Sequence, residues 1–103
     1  MVTLYDHDFD EQLNCSEDHR IVIGFTNTCN TCKRLTCMLQ MKRIQYARID
    51  MSQNKIFLEN LKNKMNTIHI SLPVILIYKN KEFKEKINPT INTDEIIQAR
   101  NIY

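Results

Sequence analysis

The stretch IVIGFTNTCNTCKRL, residues 21–35, decides how the chain reads. It opens on Ile21, Val22, Ile23 and Phe25, an apolar run short enough for a strand and continuous enough for one buried on both faces. After Cys29 and Cys32, the residues Leu35, Met38 and Leu39 recur at helical spacing. The cysteine pair therefore stands where a buried strand ends and a helix begins, with Cys29 at the helix start and Cys32 one turn in.

A pair at this spacing can ligate a metal, close a structural disulfide or carry electrons. Zinc takes four ligands, usually two such pairs or one pair with histidines. This chain has no second C-x-x-C; Cys15 and Cys37 stand alone, and His7, His19 and His69 are scattered. No metal and no organic cofactor are expected. Structural disulfides are rare in the cytosol, and a cytoplasmic location is the expectation. The opening stretch MVTLYDHDFDEQL is acidic and mixed, with no basic segment ahead of an apolar core, so it does not read as a signal peptide. The longest apolar runs, Ile21 to Phe25 and Val74 to Tyr78, fall far short of the roughly 18 residues of a membrane span.

Electron transfer suits the local electrostatics. The first turn of a helix presents free N–H groups and the positive end of the dipole, and both stabilise an anion. Lys33 and Arg34 add positive charge. All three effects push the Cys29 thiol below its usual range and favour the thiolate, which is the nucleophile. Cys32, facing inward, keeps its proton longer and is placed to attack a mixed disulfide from behind. The expectation is that Cys29 attacks and Cys32 resolves.

Outward from this stretch the chain reads as one domain, residues 1–103, without repeats or linkers. With 103 residues, 43% of them hydrophobic and 25% charged, it is long enough for one core. A net charge of +2 is too balanced to argue for nucleic acid or an anionic membrane. Val2–Tyr5 alternates as a short first strand. Asp8, with Glu11 three residues on, opens a helix with Phe9 and Leu13 on one face. Tyr46–Met51 reads as a buried strand, and Lys55–Met65 as a helix with Phe57, Leu58 and Leu61 inward. Val74–Tyr78 is a strong strand. Asn80-Lys81 turns it into Glu82–Ile87 as a hairpin. Asn92 and Glu95 cap a last helix carrying Ile96, Ile97 and Ile102. The order β-α-β-α-β-α-β-β-α implies an α/β fold, a central mixed sheet with helices on both faces.

A C-x-x-C pair at a strand-to-helix junction in such a fold is a thioredoxin-like signature. The chain resembles the thioredoxin superfamily over nearly its whole length. IVIGFTNTCNTCK resembles that family's strand, active-site loop and helix start; YARIDMSQN its third strand and following turn; LPVILIYKNKEF its proline-led strand, turn and final strand. The cysteine-to-proline spacing is longer than in a typical thioredoxin and leans toward glutaredoxins. The resemblance implies a cis Leu72–Pro73 bond, with Pro73 against the two sulfurs and the Leu72 backbone bonding an extended substrate strand. Thr28, Asn30 and Thr31 would then complete the substrate contact.

The departures are as specific as the matches. Asn30-Thr31 replaces the family's usual dipeptides, and Thr28 stands where thioredoxins have tryptophan. The family's buried aspartate aligns with Gly24 and its partner lysine with Arg48, so the proton relay to the resolving cysteine is missing. Asp50 shares a strand face with Arg48, as a substitute relay or as Arg48's ion-pair partner. Two family glycines near the groove align with Lys81 and Pro89. The stretch KNKEFKEKINPTIN lacks the glycine pair with which glutaredoxins bind glutathione.

Cys37, about 140° around the helix from Cys32, reads as a small buried apolar residue or a regulatory thiol. Cys15 reads as an exposed loop thiol, and His69 as a surface or packing residue beside the proline loop. The favoured function is a small thiol–disulfide oxidoreductase that reduces disulfides in proteins or small thiol compounds. A reductase or a low-molecular-weight thiol would reset it. Two alternatives stand beside it: a redox-weak binding or scaffold module on the same fold, and a structural zinc or iron–sulfur module.

Overall fold

The computed structural model describes residues 2–14 and 21–103. The elements run β1 (Val2–Leu4), α1 (Phe9–Asn14), β2 (Ile21–Phe25), α2 (Asn30–Met41), β3 (Ala47–Asp50), α3 (Lys55–Met65), β4 (Val74–Lys79), β5 (Glu82–Ile87) and α4 (Thr93–Ile102). The sheet order is β1-β3-β2-β4-β5, with β2 at its centre. β3 runs parallel to both β1 and β2, whereas β4 is antiparallel to β2 and to β5.

Each face of the sheet has its own core, and strand alternation decides which residue enters which. Val22, Ala47, Ile49, Val74 and Leu76 face Leu13 of α1 and Leu61 of α3. Ile21, Ile23, Tyr46, Ile75 and Ile77 face Leu35 and Leu39 of α2 and Ile96 of α4. The unbroken apolar runs in β2 and β4 follow from this, since both of their faces are covered. Tyr46 lies under α2 with its hydroxyl accepting from Gln40 Nε2 at 3.1 Å. Ile102 is 74% exposed and takes no part in the core. The inward register on α4 stops at Ala99.

Local signals set the helix ends. Asn92 caps α4 by accepting from the Asp94 N–H at 3.1 Å. Arg43, with φ of 57°, closes α2 and lets the Ile44 N–H reach the Leu39 carbonyl at 2.9 Å. Asn66 closes α3 in the same left-handed conformation. Asn80 and Lys81 both have positive φ, 52° and 69°, the geometry of a two-residue turn matched to strand twist. The start of α3 is different. Asn54 precedes it, but its side chain is spent elsewhere, accepting from Asp6 N and donating to the Asp50 carbonyl. Asp6 caps the helix instead, its carboxylate accepting from the Ile56 and Phe57 N–H groups at 3.1 and 2.9 Å.

At the far end of β4, Tyr78 packs edge-on against Phe9 and Phe83. Burial, helped by the nearby Asp10 carboxylate, pushes its phenol up to about 12. An acid whose folded pKa is raised holds its proton more tightly in the folded chain. Its stabilising contribution is therefore whole below pH ~10 and is lost as pH rises toward ~12. Stability should fall by about 1 kcal/mol between pH 9 and 11 from this group. Urea unfolding of the parent protein and of Tyr78→Phe at both pH values tests this: the variant should lose less than the parent by that amount, and equal losses refute the assignment.

Candidate active site

Cys29 and Cys32 are joined as a disulfide, with their Cα atoms 5.3 Å apart. Cys29 is the N-cap residue of α2, with extended backbone at φ −90° and ψ 103°. Its sulfur accepts from the Cys32 N–H at 3.1 Å, where a serine or aspartate oxygen would sit in an ordinary cap. The expected electrostatics thus take a concrete form. The sulfur of Cys29 points at a free amide of the first turn, so negative charge there is stabilised by a hydrogen bond as well as by the dipole. Cys29 is half-buried and Cys32 is 2% exposed. The pair therefore has one sulfur reachable from solvent and one behind it.

The surrounding residues divide. Thr28, Asn30 and Thr31 are exposed around Cys29, and the Thr28 hydroxyl lies 3.4 Å from that of Thr26. The Leu72–Pro73 bond is cis. Val74, the next residue, pairs with Gly24 on β2, so the proline stands at the end of the sheet from which the cysteine loop emerges. Leu72 is half-buried against the α1–α3 core, and Pro73 is buried. A cleft of about 280 Å³ opens beside them, lined by Thr26, Met51, Leu58, Ile68, Ile70 and Leu72 among others, with His69 at its edge. His69 is exposed, and its N–H and carbonyl are turned into a local contact with Thr67. Lys33 is exposed but lines a small cavity with Cys32; Arg34 is exposed and outside that cavity.

Four expectations change. First, Gly24 does not face Cys32. An added Cβ there would overlap Val74 Cγ1 and come within 3.0 Å of Met51 Sδ. Both neighbours belong to the α1–α3 core, on the face of the sheet away from α2. The β2 residues on the α2 face are Ile21, Ile23 and, by alternation, Phe25. The relay carboxylate is absent because the position that could serve Cys32 is apolar, and Gly24 itself is closed by packing. Second, Arg48 and Asp50 have separate partners. Arg48 Nε donates to Thr3 Oγ1 at 3.3 Å, while Asp50 Oδ1 accepts from Ser52 N at 2.9 Å and Ser52 Oγ at 2.6 Å. Third, Lys81 is not near the groove. It turns the β4–β5 hairpin at the opposite end of the sheet, whereas Pro89 follows Ile87, the partner of Ile75, and lies at the cysteine end. Fourth, Cys37 is exposed rather than buried. Its helical position turns it away from the Leu35–Leu39 stripe. Cys15 and His19 lie outside the described residues. Among the described residues, no three His, Cys, Asp or Glu side chains come together as metal ligands.

Sequence reasoning singled out Arg48 but missed Phe25, its partner beside the cysteines. Phe25 and Arg48 form part of the wall beside Cys32, with the guanidinium 5.3 Å from the ring centroid. The alternation of β2 and β3 carried the signal, since it puts Phe25 and Arg48 on the face that α2 covers.

A family model described as Thioredoxin matches residues 1–101. Among solved structures, the fold superimposes on the thioredoxin of Fasciola hepatica with a TM-score of 0.71 at 16% identity, covering 99% of this chain and 98% of that one. It superimposes on Plasmodium falciparum thioredoxin at 0.68 and 20% identity, covering 100% and 99%. For spinach chloroplast thioredoxin f the values are 0.76 and 16%, covering 98% and 84%. No curated protein matches the chain. At these identities the structural likeness speaks for the fold, and the family match speaks for the family.

Proposed function

We propose that this chain, which belongs to the thioredoxin family and is a dithiol–disulfide oxidoreductase, works in the reducing direction on disulfides of proteins or small thiol compounds. The observation that carries the exchange chemistry is the cap: the Cys29 sulfur accepts from the helix amide of Cys32, which favours the Cys29 thiolate as the attacking group, and Cys32 is buried behind it. A Cys29 thiolate attacks the substrate disulfide and forms a mixed disulfide. Cys32 then displaces the substrate thiolate and closes the Cys29–Cys32 bond. A reductase or a low-molecular-weight thiol reopens it.

The substrate strand lies along Leu72 and Pro73, against the exposed Thr28, Asn30 and Thr31. The neighbouring cleft lined by Met51, Leu58, Ile70 and Leu72 suits an apolar side chain flanking the reacting cysteine. The half-buried Cys29 and this apolar cleft favour protein substrates over a dedicated glutathione cycle. In a cytoplasmic setting, the reducing poise pulls the cycle toward net reduction.

The test is a titration in defined thiol–disulfide buffers, read by mass spectrometry, with Cys15 and Cys37 replaced by serine. A reversible two-electron transition between roughly −200 and −320 mV is expected. If no intramolecular disulfide forms, the reading fails. The absence of a carboxylate on the α2 face of β2 favours one other reading, a binding module with little turnover. The Cys29→Ser/Cys32→Ser double variant would then keep its biological role, whereas an oxidoreductase loses it.

A further inference from the structure

In the resolving step, the buried Cys32 must shed its proton before it can attack. β2 offers it no acceptor: on the α2 face that strand carries Ile21, Ile23 and Phe25. What adjoins Cys32 is a cavity of about 150 Å³, lined by Phe25, Thr26, Asn27, Lys33, Thr36 and Arg48. Both charged residues of that lining are cations. Arg48 comes from β3, half-buried and held in place by Thr3 and by the ring of Phe25. Lys33 comes from α2, directly after Cys32. Among the described residues, neither is in an ion pair. The remaining lining side chains are two hydroxyls, an amide and a phenyl ring.

The other charged groups nearby are accounted for. Asp50, the acidic neighbour on Arg48's side of β3, has Oδ1 held by Ser52 and does not line the cavity. Arg34 on α2 also lies outside it. His69, on the loop before Pro73, borders the separate cleft.

We propose that Arg48 and Lys33 activate Cys32 by charge, in place of a carboxylate that would take its proton. Two cations lining the cavity beside the buried sulfur favour the thiolate and offset the desolvation that burial imposes on it. The cavity, polar and large enough for water, lets the proton leave to solvent. Arg48 and Lys33 are thus positioning residues acting through Cys32. This inference rests on the oxidoreductase reading above. The step balances without any further reagent. The Cys32 thiol gives its proton to water, and its sulfur electron pair forms the bond to Cys29. The bond between Cys29 and the substrate sulfur breaks, and that sulfur leaves with the electron pair as a thiolate, which solvent protonates. The protein dithiol is oxidised and the substrate disulfide is reduced.

The experiment uses the full chain with Cys15→Ser and Cys37→Ser. The reduced protein is mixed rapidly with an aromatic disulfide whose thiol is coloured. The first release reports attack by Cys29 and scales with reagent. The second, independent of reagent concentration, reports Cys32, and its rate is followed against pH. Arg48→Met should raise the pH midpoint of the second phase by about one unit. The thiolate fraction then drops about tenfold below the midpoint while its nucleophilicity rises about threefold, a net slowing of about threefold. Lys33→Met, at an exposed position that can be changed without disturbing the core, should shift the midpoint the same way by less. Arg48→Lys should restore the parent profile. If the second phase has the same midpoint in the parent, Arg48→Met and Lys33→Met, the inference is overturned and the oxidoreductase reading stands. If the parent shows no second phase at any pH, the reading falls and the inference with it.

Discussion

Replacing Cys29 by serine should lower the catalysed reduction of a protein disulfide by at least about a thousandfold. A serine hydroxyl is not ionised at neutral pH and forms no bond of disulfide type, so neither half of the exchange can begin. Fold stability is a separate matter. Serine is itself a good N-cap and should hold the Cys32 amide that the sulfur holds at 3.1 Å. Cys32→Ser should behave differently. Turnover is lost, but the first attack survives, and an adduct between Cys29 and the substrate accumulates. Mass spectrometry after mixing with a disulfide-bonded protein separates the two variants: an adduct with Cys32→Ser and none with Cys29→Ser. The reverse pattern would exchange the two roles. Adducts with both would mean that another thiol, such as the exposed Cys37, does the chemistry.

Gly24→Asp should unfold the chain. The substitution looks attractive because it appears to restore the family's carboxylate, but the site has no room for it. An added Cβ overlaps Val74 Cγ1 and crowds Met51 Sδ at 3.0 Å, and Val74 lies on the central antiparallel ladder, paired with Gly24 itself. Gly24 is not held in a left-handed conformation, so the cost is one of space. Gly24→Ala isolates that cost, at about 1–3 kcal/mol for an overpacked core. Aspartate adds a charge buried among apolar side chains, for a further several kcal/mol. Against a total stability on the order of 5–15 kcal/mol, the sum removes most or all of the folded population. Urea unfolding followed by circular dichroism measures both variants. Gly24→Ala as stable as the parent would show that Val74 and Met51 yield freely, and the packing account would be wrong. Neither variant puts a carboxylate beside Cys32, because Gly24 opens onto the α1–α3 core.

The elements were legible because their signals are local. The apolar runs at Ile21 and Val74 need no knowledge of partners to read as strands buried on both sides. The helix over Lys55–Met65 follows from its periodicity, and the hairpin from Asn80-Lys81 between two strand patterns. The active pair was legible for the same reason: the spacing of Cys29 and Cys32 and their place at the strand–helix junction are features of a dozen consecutive residues. Cys37 was harder. Its position relative to Cys32 could be counted, but which face of α2 meets the sheet depends on where Leu35 and Leu39 dock.

By itself, then, the sequence determined the order of elements, the α/β class and the identity of the reactive pair, since periodicity and spacing act over a few residues. The tertiary structure decided what surrounds that pair. Asp6 caps α3 across some fifty positions of chain. Thr3 and Phe25, from two different strands, hold Arg48 beside Cys32. Strand alternation turns Gly24 away from the cysteines and Phe25 toward them. A side chain's partners are set by which strands become neighbours and in what register, and a shift of one residue in that register would exchange the two faces.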